Sequence, residues 1–178
     1  MRDIINFAAG PCQLSQNVLE MASGDILNYN NTRLSICEIN HVDEDWKQFT
    51  SKTIEDTYNF LQIPKITHEC FYMNGGATQQ FSMICLNLCN PKSKVQVLIS
   101  GYWSEKASNE INKYCDITTV YDEKDLVDSS EYEFTYFCEN ETVSGFEFHN
   151  GLTFKPKNHF IVCDMCSILG SKQINISE

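Results

Sequence analysis

The sequence predicts an α/β fold, a mostly parallel sheet with helices on both faces. Three observations carry this. From residue 68 onward, short apolar runs alternate with stretches of helical length. Those runs are nearly continuous in apolar character, as strands covered on both sides are. The segments able to meet a ligand stand where open parallel sheets hold theirs, beyond the carboxyl ends of the strands. NGGAT follows Met73, GYW follows Ser100, ENET follows Cys138, and Asp164 closes HFIVCD.

In chain order, residues 1–15 form an irregular arm, with Gly10-Pro11 as punctuation in NFAAGPCQL. Ser15 is an N-cap for a helix running to about Asn28. Asp43, Glu44 and Asp45 suit the start of a second helix, because negative charge is favourable at a helix N-terminus. Its stripe is Trp46, Phe49, Thr53, Tyr58 and Leu61, and Pro64 stops it. Alternation then begins with strand HECFYM (68–73), helix 78–89, strand VQVLIS (95–100) and helix 104–114. Strands DITTVY (116–121), EFTYFC (133–138) and HFIVCD (159–164) follow, the last expected to be buried on both sides. The polar stretch DEKDLVDSSE joins the first two of these.

Composition narrows the function. The 178 residues suffice for one domain with a real core, here residues 16–178. A formal charge of −11 and the absence of a basic stripe argue against nucleic acid. No apolar run is long enough to span a bilayer, and the first residues read as neither signal nor transit peptide, which predicts a cytoplasmic protein. The nine cysteines are expected to be reduced thiols. Cys163-x-x-Cys166 stands alone as a pair, the four histidines are scattered, and no metal site is expected.

The candidate site is built from strand ends. Gly75 and Gly76 let the backbone approach a ligand, and the helix that follows offers unpaired N–H groups and a favourable dipole to a phosphate. Thr78 adds a hydroxyl; a plain turn is the alternative. No Gly-Lys-Ser/Thr follows and the third glycine of a dinucleotide fingerprint is missing, which disfavours a nucleotide-binding domain. Trp103 offers a flat face, or is a rim aromatic. A carboxylate at Asp164 requires a partner, and a protonated pyridine nitrogen is a good one. Thr142 either orients a ring substituent or stabilises a turn. A phosphate cradle, an aromatic plate and an acid together fit pyridoxal 5'-phosphate.

These stretches resemble those of phosphoserine aminotransferases, fold-type-I enzymes dependent on pyridoxal 5'-phosphate. The resemblance runs through NFAAGP, EINH, NGGATQQFSMICLNL, GYWSEKA, CENETVSGFEF and VCDMCS to ILGSKQINIS. It implies that Ala77 and Thr78 hold the cofactor phosphate, Trp103 stacks on the ring, Thr142 contacts the ring oxygen and Asp164 pairs with the ring nitrogen. His41 falls in the motif that binds a substrate anion. The family interconverts phosphoserine and 2-oxoglutarate with 3-phosphohydroxypyruvate and glutamate in serine biosynthesis, as homodimers. Two departures follow from the resemblance. Val42 stands where the family carries an arginine, and a valine makes no bidentate contact to an anion. The chain ends at Glu178, ahead of the family's Schiff-base lysine, so residues 16–178 are expected to be an incomplete large domain without activity of their own. The alternative is a degenerate, non-enzymatic relative serving in binding or dimerisation.

Overall fold

The computed structural model describes residues 4–8 and 10–172, which fall into two units, one running to Tyr72 and one spanning Met73–Lys172.

The first unit is helical. Helix α1 (Gln16–Asn28) starts at Ser15, whose hydroxyl accepts from the Val18 amide. Helix α2 (Glu44–Leu61) carries Glu44 and Asp45 in its first turn. It ends at Gln62, which turns left-handed at φ 55°, two residues before Pro64. Tyr29, just past α1, packs edge-on against Phe49 of α2 with ring centroids 6.0 Å apart.

The expected strand at residues 68–73 does not form; among the described residues this stretch pairs with no strand. The reason is local competition. The Tyr58 hydroxyl accepts from the Cys70 amide at 2.8 Å and donates to the His68 carbonyl at 3.2 Å. A side chain of α2 therefore takes backbone groups that a ladder would need. Phe71 and Tyr72, apolar enough to suggest a buried strand, are exposed.

The second unit is built on a four-stranded, wholly parallel sheet. Its strands are β1 (Lys94–Leu98), β2 (Asp116–Val120), β3 (Tyr132–Cys138) and, after a short hairpin, β6 (Phe160–Asp164), in the order β2-β1-β3-β6. The hairpin pairs β4 (Asn140–Glu141) with β5 (Phe146–Glu147) antiparallel. Helix α3 (Ala77–Leu88) precedes β1, and α4 (Tyr102–Ile111) links β1 to β2.

Alternation along β1 and β3 sends side chains to two faces. Val95, Val97, Phe134 and Tyr136 meet Phe81 and Cys85 of α3 and Ala107 and Ile111 of α4. On the other face, Leu98, Val120 and Phe137 meet Leu126, Leu152, Phe148 and Phe154. Within this unit the helices thus cover one face, and connecting segments cover the other. Gln96, fully buried, ties the connection down: its amide donates to Thr135 Oγ1 at 3.0 Å and its carbonyl accepts from the Val127 amide at 3.0 Å.

β6 was expected to be buried on both sides. It is instead an edge among the described strands, with Phe160 69% exposed and Cys163 exposed as well. Its apolar composition signals a strand correctly but says nothing about which place in the sheet order it takes.

Candidate functional site

The strand order creates a particular place in the second unit. From β1 the chain passes through α4 to β2 on one side, and then returns to β3 on the other side of β1. The carboxyl ends of β1 and β3 therefore flank a switch in the direction of winding, where ligand crevices form in open α/β sheets.

Trp103 follows β1 and Thr142 follows β3. The structure joins them: the indole Nε1 donates to Thr142 Oγ1 at 2.8 Å. Lys106 lies over the Trp103 ring, 5.4 Å from its centroid. Trp103 is not in a loop before the helix. It belongs to the first turn of α4, which begins two residues earlier than the expected start at residue 104.

Glu141 explains the early start, and it is a site residue that the sequence reading passed over. Its fully buried carboxylate accepts from the amides of Trp103 at 2.7 Å and Ser104 at 2.9 Å, and from Ser100 Oγ at 3.4 Å. Two first-turn donors of α4 are satisfied by an anion at the positive end of the helix dipole. Space for it comes from Gly101, where an added Cβ would stand 2.8 Å from Glu141 Cδ. The signal available in the sequence was an acid beside Thr142 at a strand end, facing a glycine beside Trp103.

Asp164 closes β6 beside Cys138. Its Oδ2 accepts from the Tyr136 hydroxyl at 3.1 Å and its Oδ1 from the Cys166 amide at 3.0 Å. Burial, and then the Asp164 charge, push the Tyr136 phenol far above its ordinary range. Tyr136 therefore stays a proton donor and fixes the carboxylate. Its ring packs edge-on against Phe81 of α3, with centroids 5.7 Å apart. That contact links Asp164 to the helix that Ala77 and Thr78 open.

Ala77 and Thr78 stand in the first turn of α3, after Gly75 at φ +103° and the N-cap Gly76. Gly76 has no side chain to cap the helix, and the Ala77 and Thr78 amides donate to no acceptor among the described residues. A Cβ on Gly76 would meet nothing within 4 Å. This open, donor-lined helix start fits a phosphate. The carboxylate at Asp164, with lone pairs left beyond its two bonds, fits a protonated ring nitrogen. His41 belongs to the first unit, in an exposed turn whose Val42 amide donates to Asn40 Oδ1 at 3.2 Å.

No family model matches the chain. It is 32% identical to phosphoserine aminotransferase 1, chloroplastic, of Arabidopsis thaliana, over 98% of this chain and 43% of that protein. A phosphoserine aminotransferase studied for radiation damage of its Schiff base superposes with a TM-score of 0.89 at 24% identity, over 99% of this chain and 52% of the other. The phosphoserine aminotransferase of Trichomonas vaginalis, solved with bound pyridoxal phosphate, superposes with a TM-score of 0.79 at 27% identity, over 90% of this chain and 47% of the other. The chain spans about half the length of the curated relatives it matches.

Proposed function

The chain is related along nearly its whole length to the N-terminal part of the phosphoserine aminotransferase family, and on that premise we propose that its second unit holds pyridoxal 5'-phosphate for a phosphoserine transaminase of serine biosynthesis. The observation that carries this reading is the Trp103–Thr142 hydrogen bond at the switch point. It fixes an aromatic plate and a hydroxyl at the edge of the parallel sheet where Asp164 closes β6.

In this reading the first-turn amides of α3 at Ala77 and Thr78 bind the phosphate. Trp103 stacks on the ring with the face not covered by Lys106. Thr142 Oγ1, already an acceptor from the indole, donates to the ring oxygen. Asp164, held by Tyr136 and Cys166, keeps a proton on the ring nitrogen. The cofactor supplies the electron sink through which an amino group moves between phosphoserine or 3-phosphohydroxypyruvate and glutamate or 2-oxoglutarate. Glu141 acts through Trp103, by fixing the backbone that carries the indole.

His41 is the proposed substrate-binding residue. The side chain of its neighbour Val42, 58% exposed, has no N–H group to offer an anion, so the grip on substrate at this turn is weak. Residues 1–15 are read as an arm and 16–178 as part of the cofactor-binding large domain, active as a homodimer. Among the described residues many large apolar side chains are exposed, Ile4, Ile5 and Phe7 of the arm among them, which supports association between copies. The nine free thiols suit a reducing compartment such as the cytoplasm.

The polypeptide of residues 1–178 is proposed to be inactive by itself. Of the described lysines near the strand ends, Lys172 is held by Glu139 at 2.9 Å and Glu147 at 3.1 Å. Burial draws its ammonium down, and those two carboxylates outweigh this and raise it, so it stays charged. Lys106 is engaged with Trp103. Neither supplies a free amine. Incubation with pyridoxal 5'-phosphate, phosphoserine and 2-oxoglutarate is expected to yield no glutamate. Turnover, with cofactor trapped by borohydride on one defined lysine, would overturn this. Equilibrium dialysis against pyridoxal and its 5'-phosphate tests the cradle. At least tenfold preference for the phosphate is expected, and equal binding of the two would sink the assignment of Ala77 and Thr78.

A further inference from the structure

Outside the cofactor site, three cysteines meet at the other end of α3. Cys85 and Cys89 lie four residues apart on that helix and so share a face. Cys115 stands in the turn between α4 and β2. The three Sγ atoms all lie within 4.8 Å of one another. Cysteines often serve as small apolar core residues. What sets these apart is that side chains from two elements bring three sulfurs to one point.

We propose that Cys85, Cys89 and Cys115 bind a thiophilic divalent cation, with zinc the best match. Zinc takes thiolates at about 2.3 Å, which in a tetrahedron places the sulfurs about 3.8 Å apart. The cluster needs a contraction of about 1 Å or less to reach that spacing. Cys85 and Cys115 are buried at 1% and 6% exposure, whereas Cys89, the C-cap of α3, is half-buried. The Cys89 side therefore leaves a solvent molecule room as fourth ligand.

Charge selects the same class of ion. The charges of Glu110, Glu133 and Asp116 act on Cys85, Cys89 and Cys115 respectively, each disfavouring a free thiolate, although Glu110 is also paired with Lys113. Burial first, and the neighbouring groups after it, push Cys85 to about 11, Cys89 to about 12 and Cys115 to about 11. Without an ion the trio is neutral. With a divalent ion, three thiolates leave a net charge of −1, and a monovalent ion would leave −2, which burial penalises more. Binding forms three metal–sulfur bonds and releases three protons to solvent. Sequence spacing hid the cluster, because a helical i,i+4 pair and a residue beyond the next helix do not read as a zinc motif.

The test uses reduced residues 1–178, freed of metal under anaerobic conditions. Cobalt serves as the spectroscopic probe and zinc as competitor. One equivalent of cobalt should give thiolate charge-transfer absorption and strong tetrahedral d–d bands, and zinc should abolish both. Cys89→Ser should lower zinc affinity at least tenfold while its circular dichroism stays that of the parent. Cys115→Ser should do the same. A Cys163→Ser/Cys166→Ser double variant should bind as the parent does. Absence of a stoichiometric cobalt spectrum would overturn the proposal. So would binding that survives Cys89→Ser, or binding lost from the Cys163/Cys166 double variant instead.

Discussion

Trp103 and Thr142, 39 residues apart in sequence, are joined by a 2.8 Å hydrogen bond from indole to hydroxyl. One follows β1 and the other follows β3, so the bond closes across adjacent strand ends. Thr142→Val removes the acceptor while keeping the shape. The pair is exposed, so the cost in stability should be about 1 kcal/mol or less. Affinity for pyridoxal 5'-phosphate should fall several-fold in equilibrium dialysis. Unchanged affinity would remove Thr142 from the site.

Glu141→Ala would leave the amides of Trp103 and Ser104 without their acceptor in a buried place. A loss of about 3 kcal/mol in urea unfolding is expected. Glu141→Gln should lose less, since its carbonyl still accepts while its NH2 group confronts a backbone donor. A loss below about 1 kcal/mol for the alanine variant would show that α4 is capped in another way.

Gly101→Ala should also destabilise, because its Cβ would press on the fixed Glu141 carboxylate. The two substitutions share one cause, so they should not add. In a double-mutant cycle with Glu141→Ala, a coupling of about 1 kcal/mol or more is expected. Simple additivity would place the glycine's importance elsewhere.

Asp128 gives a pH signature. Its carboxylate accepts from the amides of Lys157 and Asn158, each at 3.1 Å. The Lys157 bond is the foremost cause holding its pKa below the ordinary aspartate range, and the Asn158 bond adds to it. A depressed acid stabilises the fold above its unfolded pKa and loses that contribution as pH falls through the folded one. Asp128→Asn should therefore be less stable than the parent at pH 7, and the gap should close below about pH 4. A gap in urea midpoint that persists at about pH 2 would contradict this.

The parts of the fold that were legible in sequence carry their own local signals. Ser15 before α1, Glu44 and Asp45 at the start of α2, and the apolar run of β3 each dictate structure where they stand. The rest depends on distant partners. Residues 68–73 read as a strand until Tyr58, on a helix ten or more residues earlier, captures their backbone. Asp164 was visible as an acid ending a strand, but nothing in the run of β3 signals that Tyr136 orients it. Glu141 was hidden for the same reason, since its donors come from a segment some 40 residues earlier in the chain. Glycine-containing turns flag a cradle, whereas the carboxylates that brace a site become visible only once the sheet order is known.

A fluorescence titration decides most directly whether these strand ends form a cofactor site. The chain has two tryptophans, so Trp46→Phe leaves Trp103 as the sole indole. Adding pyridoxal 5'-phosphate should quench that emission saturably and reversibly, with the original signal returning on dialysis. Asp164→Asn in the same background should need several-fold more cofactor for half-saturation. If emission from Trp103 does not respond, or responds identically in the Asp164→Asn variant, the cofactor does not lie between Trp103 and Asp164.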